Sequence, residues 1–86
     1  MGLRDAAEMR RDLRDWLLLQ NPGLAPMDLK DGTLLMEQGI VDSLKLMDLV
    51  LAVERLRGQA LDMEDVKPGA FRSIEAISQA FFEARP

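Results

Sequence analysis

The chain contains no cysteine and no histidine. The first absence excludes disulfides, thiolate metal sites and thiol catalysis by the chain itself. The second removes the usual general base and the commonest metal ligand. Long apolar runs are missing too. The longest, Leu49-Val50-Leu51-Ala52-Val53, falls far short of a membrane span. Arg4, Asp5 and Glu8 stand where a signal peptide needs an apolar stretch. Met1-Gly2 invites comparison with a myristoylation signal, but that pattern wants Ser or Thr where Ala6 stands. These absences lead to the expectation of a cytoplasmic protein with no membrane association, no metal, no catalytic residues of its own and no enzymatic activity.

What is present suits a single domain spanning residues 1–86. A chain this short hides about 60% of its unfolded surface, so its core must be economical. Apolar residues make up 48% of the chain and charged residues 30%, a balance that fits a globular protein and argues against wholesale disorder. The net charge of −4 is unevenly spread. Residues 28–66 carry nine acids against the four bases Lys30, Lys45, Arg55 and Arg57. An acidic middle segment disfavours nucleic acid and anionic membrane and favours partners with basic patches. It also serves simply to keep a small protein soluble.

Residues 3–20 show helical period, with Ala6, Met9, Leu13, Trp16, Leu17 and Gln20 on one face and Arg4, Arg11 and Asp15 on the other. Trp16, the only tryptophan, lies on the apolar face, where core packing is its expected use. Asn21-Pro22-Gly23 stops this helix. A second helix is predicted to start near Asp42 or Ser43 and to end at about Arg57, before Gly58. Between the two lies a long loop containing Leu24, Leu29, Leu34, Leu35, Met36, Ile40 and Val41, which must pack down and hold short helical turns. Asp62 to Lys67 has room for one or two turns, and Pro68-Gly69 marks a turn. Ser73 is a plausible N-cap for a last helix in which Ile74, Ile77 and Phe81 share a face. No β-alternation of useful length and no repeat is found. The expected architecture is an all-α bundle of three main helices plus a short third one.

The second helix is apolar on two sides. With Leu44 at zero and about 100° per residue, Leu46, Leu49, Val50, Val53 and Leu56 cluster between about 120° and 240°. Leu44, Met47 and Leu51 fall opposite, flanked by Lys45, Asp48 and Glu54. Such a helix is either sandwiched inside a larger core or offers one face to a partner. The surplus patch is small and ringed by charge, so a monomer is expected. Of the methionines, Met9, Met36 and Met63 read as gap-fillers, whereas Met47 suits a surface that accepts several partners.

Asp42-Ser43 stands at the head of this helix, and either residue makes an ordinary N-cap. The other reading is that Ser43 displays a hydroxyl where an attached phosphodiester is favoured by the helix dipole. Ser43 has no partner to make it a nucleophile, since histidine is absent and Lys45 points elsewhere on the helix. A hydroxyl that cannot activate itself must be modified by another enzyme to carry chemistry.

The stretch Gly39-Ile40-Val41-Asp42-Ser43-Leu44, followed by Lys45 through Glu54, resembles the attachment-site region of acyl and peptidyl carrier proteins. Its centre is the Asp-Ser-Leu motif, a weak signal alone. The resemblance extends over nearly the whole chain, through the long first loop, the short third helix and Val66 to Ala76, with Phe71 and Ser73-Ile74 in matching positions. It implies a four-helix bundle of acyl-carrier type, free-standing, with 4′-phosphopantetheine from coenzyme A joined covalently to Ser43 by a phosphopantetheinyl transferase. The arm's thiol would hold an acyl or aminoacyl group as a thioester. The implied partners are that transferase, an acyl- or aminoacyl-loading enzyme, and downstream synthase or transferase enzymes. In the family these dock on the second helix through an apolar contact ringed by acids. The matching positions are Leu44, Met47 and Leu51, with Asp42, Asp48 and Glu54 as charged contacts.

Two departures from the family pattern bear on cargo. Fatty-acid carriers commonly have Gly-x-Asp-Ser-Leu, whereas this chain has one more residue between Gly39 and Asp42. They also tend to follow the motif with an acidic or neutral residue, where this chain has Lys45. Both resemble carriers of specialised biosynthetic pathways more than the housekeeping fatty-acid type. The alternative from another class is a small helical interaction module with no prosthetic group. Asp28-Leu29-Lys30-Asp31-Gly32 fails as a calcium loop at Lys30, and Asp62, Glu64 and Asp65 fail at Val66, so both sets read as solvated loop acids.

Overall fold

A computed structural model of the chain describes residues 5–83. Met1, Gly2 and Arg4, and the side chain of Met63, lie outside what is described. The described residues are helical, with no strand among them. Helix α1 spans Ala6–Gln20 and opens on a reciprocal cap. The Asp5 carboxylate accepts the Glu8 N–H at 2.8 Å, and the Glu8 carboxylate accepts the Asp5 N–H at 3.4 Å. Two orphan donors are thereby satisfied, and Glu8 sits favourably at the positive end of the dipole. Met9, Leu13 and Leu17 turn inward, one per turn. Asn21 closes the other end, its N–H bonding the Leu18 carbonyl and its side-chain amide the Leu17 carbonyl.

The segment from Asn21 to Lys45 packs down through side chains rather than through regular structure. It contains one 3₁₀ turn at Pro26–Asp28, and Leu29, Leu35, Ile40 and Val41 drop into the core. Leu34 and Met36 point outward, which removes Met36 from the gap-filling role. Asp31 is an exposed loop acid, as expected, but it is also paired. Its carboxylate holds Arg14 at 2.5 Å and faces Arg10 at 3.8 Å, while its carbonyl accepts the Glu75 N–H at 2.8 Å. Arg14 also donates to the Leu29 carbonyl. One loop residue thus joins α1, the loop and the C-terminal helix. Each of these half-exposed ion pairs contributes about 1 kcal/mol or less, so their role is to fix register.

Helix α2 spans Leu46–Arg57, three to four residues shorter at its start than the sequence suggests. The cause is local. The Lys45 N–H is taken both by the Asp42 carbonyl at 3.1 Å and by its carboxylate at 2.9 Å. This closes a tight turn over residues 42–45, and regular i to i−4 bonding begins only with Leu49 N–H to the Lys45 carbonyl. Asp42, not Ser43, supplies the side-chain bond of this turn, and α2 itself, with Lys45 at the cap position, has no side-chain cap. At the far end Gly58 adopts a left-handed φ of 76° and donates to the Glu54 carbonyl, a conformation that costs glycine little.

After α2 the predicted short helix is a single 3₁₀ turn at Met63–Asp65, followed by another at Pro68–Phe71. Ser73 caps helix α3, Ile74–Ile77, by accepting the Ala76 N–H at 3.0 Å. The chain then widens into a π-helical turn over Ser78–Phe82, closed by Glu83 N–H to the Ser78 carbonyl. That extra residue shifts the register. Phe82, rather than the expected Phe81, joins Ile74 and Ile77 in the core. Phe81 is half-buried against Phe71, ring centroids 5.2 Å apart, with the Arg57 guanidinium 5.6 Å above its face.

The core lies between α1, α2 and α3, where Leu13, Leu17, Leu49, Val53, Ile74 and Ile77 are fully enclosed. Phe71 lies beneath and Leu29 and Leu35 close it from the loop side. A radius of gyration of 12.2 Å matches the value of about 12 Å for a folded chain of this length, so the long loop adds no spread. Among the described residues no helix is long and apolar enough to cross a membrane.

Candidate functional site

The tight turn before α2 decides how Ser43 is presented. The Asp42 carboxylate closes this turn by accepting the Lys45 N–H, and the Ser43 side chain is not used as a cap. Ser43 is exposed, and its hydroxyl makes no hydrogen bond among the described residues. Asp42 is exposed beside it.

Leu44 in the turn, and Met47 and Leu51 on α2, retain 86%, 61% and 51% of their accessible surface. Met47 and Leu51, four residues apart, share one side of the helix, with exposed Asp48 alongside. The opposite side is buried: Leu49 and Val53 are fully enclosed and Val50 nearly so, with Leu46 and Leu56 packed at the margin. Of the two alternatives for a helix apolar on both sides, burial of both sides inside a larger core is excluded. One side builds the core and the other faces solvent. Glu54 stands apart from the other acids. It is half-buried, and its carboxylate accepts the Leu61 N–H at 2.8 Å, so it also anchors the chain leaving α2.

Two features have no signature in the sequence. Lys45 bends away from the apolar face, and its Nζ donates to the Gln20 carbonyl at the end of α1, at 3.5 Å. Between α1 and α2 runs an open groove of about 570 Å³, with Trp16 and Leu51 among its walls and Asp48, Glu54 and Arg55 along its edges. Trp16 therefore serves twice: it packs against the core and lines this groove. Both features depend on how α1 and α2 lie against each other, and residue spacing within either helix carries no trace of that. Among the described residues, no three acidic side chains are grouped to hold a metal ion.

No protein-family model, curated protein or solved structure matches the chain.

Proposed function

We infer that the chain is a free-standing carrier protein of the acyl-carrier type, a four-helix bundle in which the short third element has shrunk to one turn. Ser43 is the point at which 4′-phosphopantetheine from coenzyme A is attached. The observation that carries this reading is an exposed, unpartnered serine hydroxyl at the head of a helix, next to an apolar face rimmed by Asp42 and Asp48. The residues present suit the group. The hydroxyl is exposed, and among the described residues no side chain bonds to its oxygen.

In the loading step the Ser43 oxygen forms a bond to the pantetheine-side phosphorus of coenzyme A. The pyrophosphate P–O bond breaks, adenosine 3′,5′-bisphosphate leaves, and the hydroxyl proton passes to a base on the transferase. Assigning that base to the transferase is consistent with a Ser43 hydroxyl that has no hydrogen-bond partner among the described residues and a chain that has no histidine. Once bound, the arm supplies a thiol able to hold an acyl or aminoacyl group. What this chain's residues do is display and dock. Leu44, Met47 and Leu51 offer desolvatable contact area, and Asp42 and Asp48 steer partners with basic patches toward it. Such a protein is not itself an enzyme. It works as a cytoplasmic monomer among a transferase, a loading enzyme and the synthases or transferases that take the cargo. The extra residue after Gly39 and the basic Lys45 favour a specialised biosynthetic pathway over housekeeping fatty-acid synthesis.

Incubation with coenzyme A and a broad-range phosphopantetheinyl transferase tests the reading. The intact mass is expected to rise by one phosphopantetheinyl unit in the wild type and not in Ser43→Ala. A mass that never rises leaves only the small interaction module with its exposed apolar face.

A further inference from the structure

We propose that Lys45 is a positioning residue that changes partner on loading, holding the C-terminus of α1 in the unmodified protein and the phosphodiester on Ser43 once the arm is attached. This rests on the carrier reading. The first half is visible in the contacts at the end of α1. That helix has no basic residue in its last turn to complement its negative pole. Asn21 satisfies the Leu17 and Leu18 carbonyls, and Lys45 reaches across to the Gln20 carbonyl. At 3.5 Å this bond is at the long limit, to a neutral acceptor, and exposed.

The second half follows from charge. Lys45 is the only basic residue between Lys30 and Arg55, and it lies two positions from Ser43. Every other ionisable side chain in that stretch is an acid: Asp31, Glu37, Asp42, Asp48 and Glu54. An anion on Ser43 would meet Asp42 as a repelling neighbour. The Lys45 backbone N–H is already held by the Asp42 carboxylate. The ammonium is on a flexible four-carbon stem with three donors, and a charge-assisted bond to a phosphodiester is stronger than a long bond to a carbonyl. Loading therefore draws Lys45 off Gln20, which fixes the base of the arm and frees the end of α1.

Four samples decide this: wild type and Lys45→Gln, each before and after treatment with coenzyme A and transferase, with loaded Lys45→Arg as the conservative control. Intact mass reports loading. The amide signal of Asn21, which shares a peptide unit with the Gln20 carbonyl, reports the first contact, and the phosphorus resonance of the attached group reports the second. Loading is expected to move the wild-type Asn21 signal toward its position in unloaded Lys45→Gln, and to leave it unmoved in that variant. The phosphorus resonance should differ between loaded wild type and loaded Lys45→Gln, with Lys45→Arg close to wild type. A mass increase with an unchanged Asn21 signal, or with one phosphorus resonance common to all three proteins, overturns the proposal and leaves the carrier reading standing. A mass that does not rise overturns both.

Discussion

Helix α2 carries leucines on two sides, and the two sets have opposite fates. Leu49 is fully enclosed by α1, the loop and the C-terminal helix, whereas Leu44, less than two turns away, keeps 86% of its surface in water. Both are the same side chain on nearly the same stretch of chain. The difference lies entirely in what the fold places opposite them. Burying a leucine contributes about 1.5–3 kcal/mol, a gain that Leu49 realises and Leu44 forgoes. A small domain has little stability to spare, so an exposed run of Leu44, Met47 and Leu51 is better explained by contact with a partner than by folding.

Breaking the inner side should give the largest effect. Leu49→Ala empties a packed position and is expected to cost about 2–5 kcal/mol, with Val53→Ala somewhat less. In a domain of this size the former unfolds a large share of the population. Urea melts followed by circular dichroism measure it, and a cost below about 1 kcal/mol for Leu49→Ala would show that the core does not depend on this side of α2.

The turn between the two sides supplies the next contrast. Asp42 accepts the Lys45 N–H, while among the described residues the Ser43 hydroxyl has no hydrogen-bond partner. Asp42→Ala should therefore cost about 1 kcal/mol through the lost turn-closing hydrogen bond, and Ser43→Ala should stay within about 0.5 kcal/mol of wild type. The same melts check both. The reverse ranking would make Ser43 the structural residue and remove the reason for calling its hydroxyl available.

Much of this arrangement was legible from residue spacing, and what was not has definite causes. The two sides of α2 follow from 3.6-residue periodicity and needed no tertiary information. The start of α2 did not, because the choice between a helical and a tight turn at Asp42 depends on a side-chain bond competing with regular backbone pairing. The capping box of Asp5 and Glu8 was readable from its three-residue spacing and was missed under the emphasis on apolar period. The helical period put Phe81 on the inner face, whereas with the π turn over Ser78–Phe82 it is Phe82 that is buried, Phe81 packing at the core's margin. Asp31 read as a solvated acid because its arginine partners are some twenty positions away on α1. At the candidate site, Ser43, Leu44 and Met47 came from local pattern, whereas the Lys45 tether and the Trp16 groove came only with the packing of α1 on α2.

The smallest expected stability change is also the most informative for function. Leu44→Ala and Met47→Ala remove atoms that touch mainly water, so no cavity forms and each should cost under about 0.5 kcal/mol. Their loading by the transferase, followed as the rate of mass increase, should on the proposed function nonetheless slow, because an exposed apolar side chain next to the proposed acceptor serine is where a partner would gain contact energy. Slowing by about tenfold corresponds to about 1.4 kcal/mol of lost interaction in the encounter, several times the loss in the melt. The comparison is internal to one helix, with Leu49→Ala as the variant whose loss is mainly in stability. If Leu44→Ala melts as early as Leu49→Ala, the outer side is core as well. If it melts like wild type and loads at the wild-type rate, the face is exposed but the transferase does not use it, and the docking surface must be sought elsewhere on the molecule.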